Sequence, residues 1–218
     1  KRRDLMRREK VFNRSLLILA IMSIMLFAMT ITASAASGSA VTNLQQTDDT
    51  KTGVTVQWSG NYGEEYLVYL SQDRYSGYQA LSSYTSTSNK KYIYNLQAGR
   101  AYYVIVQTYV NKQLVGQSDP LQVVTTPENV NYKSIKQTSG TKNKIGLQWN
   151  SVSGVTGYVV AKISGSKVEA QYNVTTNKAT VPAQAGTHYS GYYVYSYKRS
   201  ESNYIALGYG QSTGTLYS

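Results

Sequence analysis

The chain alternates apolar and polar residues over short stretches from residue 38 onward, and turn-forming Gly, Asn, Ser and Asp residues separate these stretches. In residues 54–59, Val54, Val56 and Trp58 share one face and polar residues occupy the other, which is the two-residue repeat of a strand. Long helical periodicity is absent. The pattern therefore predicts an all-β protein built from short antiparallel strands.

The same pattern recurs 91 residues later, where Ile145, Leu147 and Trp149 alternate in the same way. Further pairs of segments keep a similar spacing: residues 66–69 with 158–161, 99–102 with 186–189, and 116–118 with 210–212. These pairs indicate an internal duplication, and each copy has the length and strand content of a β-sandwich. Because Pro127 interrupts strand pairing, we place the domains at residues 38–126 and 127–218 and expect each to fold alone.

Each copy resembles a fibronectin type III domain. The resemblance rests on Trp58 and Trp149 at the end of the second strand, on the Tyr-rich third strand, and on the corner at residues 96–102. It covers residues 40–218 and implies two tandem seven-stranded antiparallel β-sandwiches. In this family the corner tyrosine packs inward and hydrogen-bonds the backbone near the bend, a role that the resemblance gives to Tyr102 and Tyr189.

The second copy departs from the pattern near its corner. Ala183 stands where Leu96 stands, Gly191 takes the place of Val104, and residues 213–214 replace the Asp-Pro pair at 119–120. The strand register of this copy is therefore less clearly marked. Tyr192 remains an alternative to Tyr189 as the corner residue, although the Gly-x-x-Tyr spacing favours Tyr189.

The first 35 residues have the pattern of a secretory signal peptide. A basic segment precedes 16 mostly apolar residues at positions 16–31, and small residues follow at 33–35. We expect cleavage after Ala35, and an uncleaved amino-terminal anchor is the alternative. Contact with a membrane is thus expected only through this leader during export. An exported chain without Cys fits a bacterial protein that is secreted, extracellular or held at the cell surface.

The net charge of +11 does not indicate a nucleic-acid partner. Residues 1–35 hold +5 of it, and the remaining Lys and Arg residues are scattered, with no run longer than the pairs at 90–91 and 198–199. A phosphate-binding face needs a clustered basic stripe. We therefore expect no nucleic-acid binding.

The composition also restricts the possible chemistry. With no Cys and one His, the chain offers no disulfide, thiolate or ordinary zinc site, and we expect neither metal nor cofactor. The acidic pairs at 48–49 and 64–65 are predicted to be solvated turn residues rather than a carboxylate dyad. The Gly-x-Ser-x-Gly match at 210–214 lacks a later His and is not a nucleophile elbow.

Tyrosine is the strongest compositional signal, with 22 residues. If Tyr102 points inward, then Tyr103, Ile105 and Tyr109 point outward on the sixth strand, and Leu67 and Tyr69 point outward on the adjacent third strand. We predict that these five residues form a binding face. The alternatives are that the face packs against the second copy or is covered by residues 75–84.

These observations favour a non-catalytic extracellular binding or spacer module of a bacterial secreted protein. The resemblance implies adhesion, contact with carbohydrate or protein, or spacing of other modules, and fold alone does not choose among them. The alternative function is a small secreted enzyme or enzyme inhibitor on a sandwich scaffold.

Overall fold

The computed structural model describes residues 40–218, so the predicted signal peptide at residues 1–35 lies outside the described residues. The first half of this part contains eight strand segments: β1 (Thr42–Thr50), β2 (Gly53–Ser59), β3 (Glu65–Ser71), β4 (Gln79–Ala80), β5 (Lys90–Ile93), β6 (Ala101–Val110), β7 (Gln113–Gln117) and β8 (Leu121–Val124).

The second half begins with a 3-10 turn at Tyr132–Ser134 and continues with strands. They are β9 (Lys136–Thr141), β10 (Lys144–Gln148), β11 (Gly157–Ser164), β12 (Lys167–Val174), β13 (Lys178–Pro182), β14 (His188–Tyr189), β15 (Tyr192–Arg199), β16 (Ile205–Leu207), β17 (Gln211–Ser212) and β18 (Leu216–Tyr217).

In the first half, two antiparallel sheets enclose one core. One sheet has the order β1-β2-β5, and the other has the order β4-β3-β6-β7, with β8 also paired to β6. Because β7 and β8 are two parts of one last strand, the sandwich has seven strands. The fourth strand pairs with the third, whereas in immunoglobulin constant domains it joins the opposite sheet.

The second half repeats this arrangement. Its sheets have the orders β13-β10-β9 and β12-β11-β15-β16, and β17 also pairs with β15. The short strand β14 precedes β15 and pairs with β18, so the sixth and last strands are both interrupted. The expected all-β fold of two tandem, seven-stranded, fibronectin type III-like sandwiches is thus confirmed.

Each core is built around an edge-to-face pair of one Trp and one Tyr. The ring centroids of Trp58 and Tyr66 are 5.4 Å apart at 76°, and those of Trp149 and Tyr158 are 5.3 Å apart at 71°. Both Trp side chains are at most 2% exposed. Edge-to-face geometry brings the positive ring edge to the negative ring face, so the same B–C strand contact stabilises both copies.

The strand register reveals one extra residue in the second copy. Val68 pairs with Val106 in the first copy, and Val160 pairs with Val194 in the second. Val104 lies two residues before Val106, and Tyr192 lies two residues before Val194, so Tyr192 is the counterpart of Val104. The predicted equivalence of Val104 and Gly191 is therefore wrong by one residue.

Gly191 is the inserted residue, and its backbone explains why glycine occupies it. Its φ is +77°, in the region that favours glycine, and a Cβ there would lie 2.6 Å from the carbonyl oxygen of Ile163. Its own carbonyl accepts a hydrogen bond from the N–H of Ile163 at 2.8 Å. Gly191 thus forms a bulge between β14 and β15.

The two copies differ most in the fourth strand. In the second copy β12 has eight residues and supplies Tyr172 and Val174 to the rim of the core. In the first copy β4 has two residues, and an irregular segment at 81–89 follows it. That segment is tied to β3 by hydrogen bonds between Leu81 and Val68 and, in both directions, between Ser86 and Tyr66.

The described residues form two compact units. One contains residues 40–126 together with 199–206, and the other contains residues 127–198 and 207–218. Within residues 40–218 there is no helix with the length and apolar character needed to cross a bilayer.

Candidate functional site

The five residues of the predicted binding face lie on one side of the sheet formed by β3 and β6. Tyr69 pairs with Ile105, Leu67 pairs with Gln107, and Glu65 pairs with Tyr109. Tyr103 lies two residues before Ile105 and so shares its side of β6. All five therefore face away from the core that contains Tyr102, Val104 and Val106.

The centre of this face is less exposed than a binding patch requires. Ile105 is only 6% exposed, and Leu67, Tyr69, Tyr103 and Tyr109 are half-buried. Ile105 is a short aliphatic side chain directly opposite the larger Tyr69, and paired side chains on one face lie within contact distance. The expectation that Ile105 contributes directly to a contact surface is therefore wrong, whereas the four others keep accessible atoms.

The tyrosine hydroxyls of this face interact with one another and with nearby polar groups. Burial raises the pKa of Tyr69, and a hydrogen bond and charge interaction with Tyr109 raise it further. The hydroxyl of Tyr109 donates to Gln107 Oε1 at 2.8 Å. The hydroxyl of Tyr103 accepts from Gln122 Nε2 at 2.9 Å and donates to Glu201 Oε1 at 3.3 Å. These bonds hold the rings in place.

The two predicted corner tyrosines accept hydrogen bonds from the backbone near the bend. The hydroxyl of Tyr102 accepts from the backbone N–H of Gln97 at 2.9 Å, five residues earlier. The hydroxyl of Tyr189 accepts in the same way from Gln184. Tyr189 therefore has the corner contact, and Tyr192 is instead a core residue whose pKa burial raises to about 12.

The sequence predicted that the acidic residues at 48–49 and 64–65 are solvated. This prediction is wrong for Asp49 and Glu64, which are buried. Glu64 is 6% exposed and accepts hydrogen bonds from the backbone and side chain of Asn61 and from the hydroxyl of Tyr66. Burial raises the pKa of Glu64, but these hydrogen bonds lower it more, so the net pKa lies below its ordinary value. Asp49 is also buried and accepts from Thr126. Both carboxylates bind the protein itself.

A pair of exposed aromatic residues lies on the other sheet. Tyr92 and Tyr94 are 48% and 65% exposed, and their rings stack with centroids 6.2 Å apart at 26°. We call them the tyrosine platform. A Cβ on Gly53 would lie 2.6 Å from the hydroxyl oxygen of Tyr92, so the ring of Tyr92 extends over that glycine of the neighbouring strand.

The sequence contained a signal for this platform that the prediction missed. Tyr92 and Tyr94 flank Ile93, which is 2% exposed in the core. Because side chains alternate along a strand, an inward Ile93 places both tyrosines outward. The prediction treated only the long, strongly apolar strands, and four-residue β5 lies outside that set.

The corresponding outward face of the second copy is apolar as well, and the sequence prediction did not include it. Val159, Ala161, Tyr195 and Tyr197 face away from the second core on β11 and β15, and each is at most 6% exposed. Burial raises the pKa of Tyr195 to about 12. These side chains are not accessible to a ligand.

Within residues 40–218, no group of three or more His, Asp or Glu side chains is close enough to hold a metal ion. Ser212, the central residue of the Gly-x-Ser-x-Gly match, lies in strand β17 opposite Tyr193. A nucleophile elbow needs a strand-to-helix turn, and this serine lacks one.

No family model and no curated protein matches the chain. A two-domain fibronectin type III segment of chicken tenascin is similar with 15% identity over 82% of this chain and 99% of that one, at a TM-score of 0.41. The FN1–FN3 domains of chicken CNTN1 are similar with 15% identity over 81% of this chain and 64% of that one, at 0.45. With TM-scores this low, the fold assignment here rests on strand order and packing.

Proposed function

We propose that this protein is a non-catalytic binding module that contacts an extracellular protein or carbohydrate through tyrosines of its first sandwich. The leader at residues 1–35 supports export, and a bacterial source is part of the same proposal. A sandwich of this type presents rigid outer faces, so binding depends on which side chains those faces carry.

The tyrosine platform is the observation that carries the proposal. Two adjacent rings are exposed and nearly parallel, and Tyr92 is further restrained because it extends over Gly53. Tyrosine buries a large area at a low cost in conformational entropy, and a restrained ring loses still less on binding. Such a surface suits stacking against a flat ring or an apolar group of a partner.

A second candidate surface is the part of the β3–β6 face that keeps accessible atoms, without the buried Ile105. It consists of Leu67, Tyr69, Tyr103 and Tyr109. Hydrogen bonds hold Tyr103 and Tyr109 in fixed orientations. The face and the platform lie on different sheets of the same sandwich. Separate variants can therefore distinguish them.

The test is a pull-down of the tagged chain against bacterial cell-wall polysaccharide, mucin and extracellular matrix proteins. We expect Tyr92→Ser with Tyr94→Ser to abolish capture of the partner that the unmodified chain retains. Tyr69→Ser, Tyr103→Ser and Tyr109→Ser together test the β3–β6 face. Tyr132→Ser is the matched control, because Tyr132 is similarly exposed at 59% but lies in the second copy.

Each variant also needs a thermal melt to separate lost contact from lost folding. Loss of capture with an unchanged melting temperature supports the surface that was altered. If both surface variants and the control retain full capture, the proposed site is wrong. If no partner on the panel is retained by the unmodified chain, the binding function itself is contradicted in favour of a spacer.

A further inference from the structure

The first sandwich contains a cavity of about 240 Å³ beside its core, at the flank where β4 is short. Its lining comes from the β2–β3 core and from the irregular segment and strand that follow β4: Trp58, Tyr66, Leu67, Val68, Leu81, Ser82, Tyr84, Ser86, Ser88, Lys90 and Lys91. Liquid water occupies about 30 Å³ per molecule, so the cavity has room for a small organic group.

Trp58 lines this cavity and carries an unpaired indole hydrogen-bond donor, a property that Trp149 shares. Trp58 is 2% exposed, and its Nε1–H has no acceptor within hydrogen-bond distance among the described residues. An unsatisfied buried donor is unfavourable, so an acceptor that reached it would bind favourably.

The other polar groups of the lining are donors or cations. Ser82 and Ser88 already donate to backbone carbonyls, whereas the hydroxyl of Ser86 accepts from Ser88 and keeps its own proton available. Lys90 and Lys91 supply two ammonium groups. No Asp or Glu lines the cavity, and in the described chain neither lysine forms an ion pair.

Lys91 is the residue that distinguishes this cavity from the second copy. It pairs with Val56 on β2 and alternates with buried Ile93, so it lies on the inner side of its sheet and is half-buried. At the equivalent position, opposite Leu147, the second copy has Ala179. A half-buried cation favours an opposite charge, because burial alone penalises the charged form.

We propose that this cavity binds the carboxylate of an acidic sugar. Lys91 and the Ser86 hydroxyl bind the carboxylate oxygens, and Trp58 lines the same cavity. Tyr84 also lines the cavity and is 76% exposed, so it lies at the open side, where its ring can contact the sugar ring. This site is separate from the tyrosine platform and does not depend on it.

The chain has two Trp residues, one in each copy, and this makes the experiment specific. The ¹H–¹⁵N spectrum of the full chain contains two indole signals, and Trp58→Phe assigns them by removing one. Sodium glucuronate is titrated at constant ionic strength, with glucose and acetate in parallel. We expect glucuronate to shift the Trp58 signal and leave the Trp149 signal unchanged. We expect no shift with glucose and a weaker apparent affinity for acetate.

Lys91→Ala installs the residue of the second copy and should weaken glucuronate binding at least about tenfold, because hydrogen bonds to charged groups are among the strongest in proteins. Lys178→Ala is the matched control. Lys178 is the counterpart of Lys90, because it pairs with Gln148 as Lys90 pairs with Gln57. The substitution removes the same charge from the second copy and should leave the affinity for glucuronate unchanged.

The proposal fails if Trp58 and Trp149 shift together, or if Lys91→Ala leaves the affinity unchanged; Lys91 would then only protect an edge strand from pairing. A response to glucose equal to that for glucuronate would overturn the role of the carboxylate. Equal affinity for acetate and glucuronate would overturn the contact of the sugar with Tyr84.

Discussion

The two copies share their core contacts and differ in how one flank of the sandwich is closed. In the second copy β12 runs along β11 for eight residues, and Tyr172 and Val174 pack on the core. In the first copy the two-residue β4 leaves that flank to an irregular, serine-rich segment, and a cavity lies beneath it. A duplicated core therefore tolerates change at an edge, where few core contacts are lost.

The difference extends to the surface. The outward face of the long strands is buried in the second copy and half-buried in the first, and the tyrosine platform occurs only in the first. At the position of Tyr92, opposite the second-strand residue Gly146, the second copy has Thr180. The stacked tyrosine pair and the cavity beside the short β4 are thus features of the first copy, and the following substitutions test this asymmetry.

The largest expected effect concerns the two core tryptophans. Trp58→Ala and Trp149→Ala should each cost about 3–5 kcal/mol, because each removes a fully buried aromatic ring and leaves a cavity. We expect each variant to unfold its own copy and to retain the indole signal of the other. Unfolding of both copies by either substitution would contradict the independence of the two cores. A cooperative melt of the variant that carries both substitutions would contradict the core role of the two tryptophans.

The bulge at Gly191 is specific to the second copy and gives the next largest effect. Gly191→Ala should cost about 1–3 kcal/mol, because the residue has positive φ and its new Cβ would meet the carbonyl of Ile163. Gly186→Ala is the control, since Gly186 has φ +68° but no atom within 4 Å of a Cβ. Chemical denaturation should show a larger loss for Gly191→Ala. Equal losses would mean that the contact with Ile163 is unimportant.

The buried carboxylate Glu64 makes the first copy more sensitive to acid. Because its pKa is lower in the folded protein than in the unfolded chain, its contribution to stability is present above the unfolded pKa. That contribution is lost as the pH falls through the folded pKa. The counterpart of Tyr66 in the second copy, Tyr158, instead accepts from the backbone N–H of Val152.

We therefore expect the first copy to lose stability before the second when the pH is lowered below the ordinary pKa of a glutamate. Glu64→Gln should remove this part of the pH dependence while lowering stability at neutral pH. Thermal melts from neutral to acidic pH, followed through the Trp58 and Trp149 indole signals, provide the measurement. An identical acid response in the variant and the unmodified chain would refute the assignment.

The smallest effect is expected at the tyrosine platform. Tyr92→Ser and Tyr94→Ser should each change the free energy of unfolding by less than about 0.5 kcal/mol, because both rings are largely exposed. Equilibrium denaturation measures the free energy of unfolding of both variants and of Tyr66→Phe, which removes a buried hydroxyl bonded to Glu64. A larger loss at the platform than at Tyr66 would indicate that the platform stabilises the fold.

Strand alternation and the spacing of aromatic residues were sufficient to predict the fold. The alternation at residues 54–59 and its recurrence near Trp149 predicted which residues of these strands face the core. This signal is local, because the pleat of a strand forces neighbouring side chains to opposite faces. The backbone contacts of Tyr102 and Tyr189 were expected only from the resemblance to fibronectin type III domains. The sequence alone therefore determined the strands, the duplication and the inward tryptophans.

Only the tertiary structure decided which outward residues are accessible and what the acidic residues bind. Ile105 and Tyr92 both point outward, yet one is 6% exposed and the other 48%, because exposure depends on neighbours across the sheet. Glu64 was indistinguishable from a solvated turn residue until Asn61 and Tyr66 were placed around it. The inward Lys91 and the unpaired Trp58 indole came together through pairing between β2 and β5, which are separated by 30 residues of chain. Such contacts depend on the register of distant strands, and alternation within one strand carries no information about it.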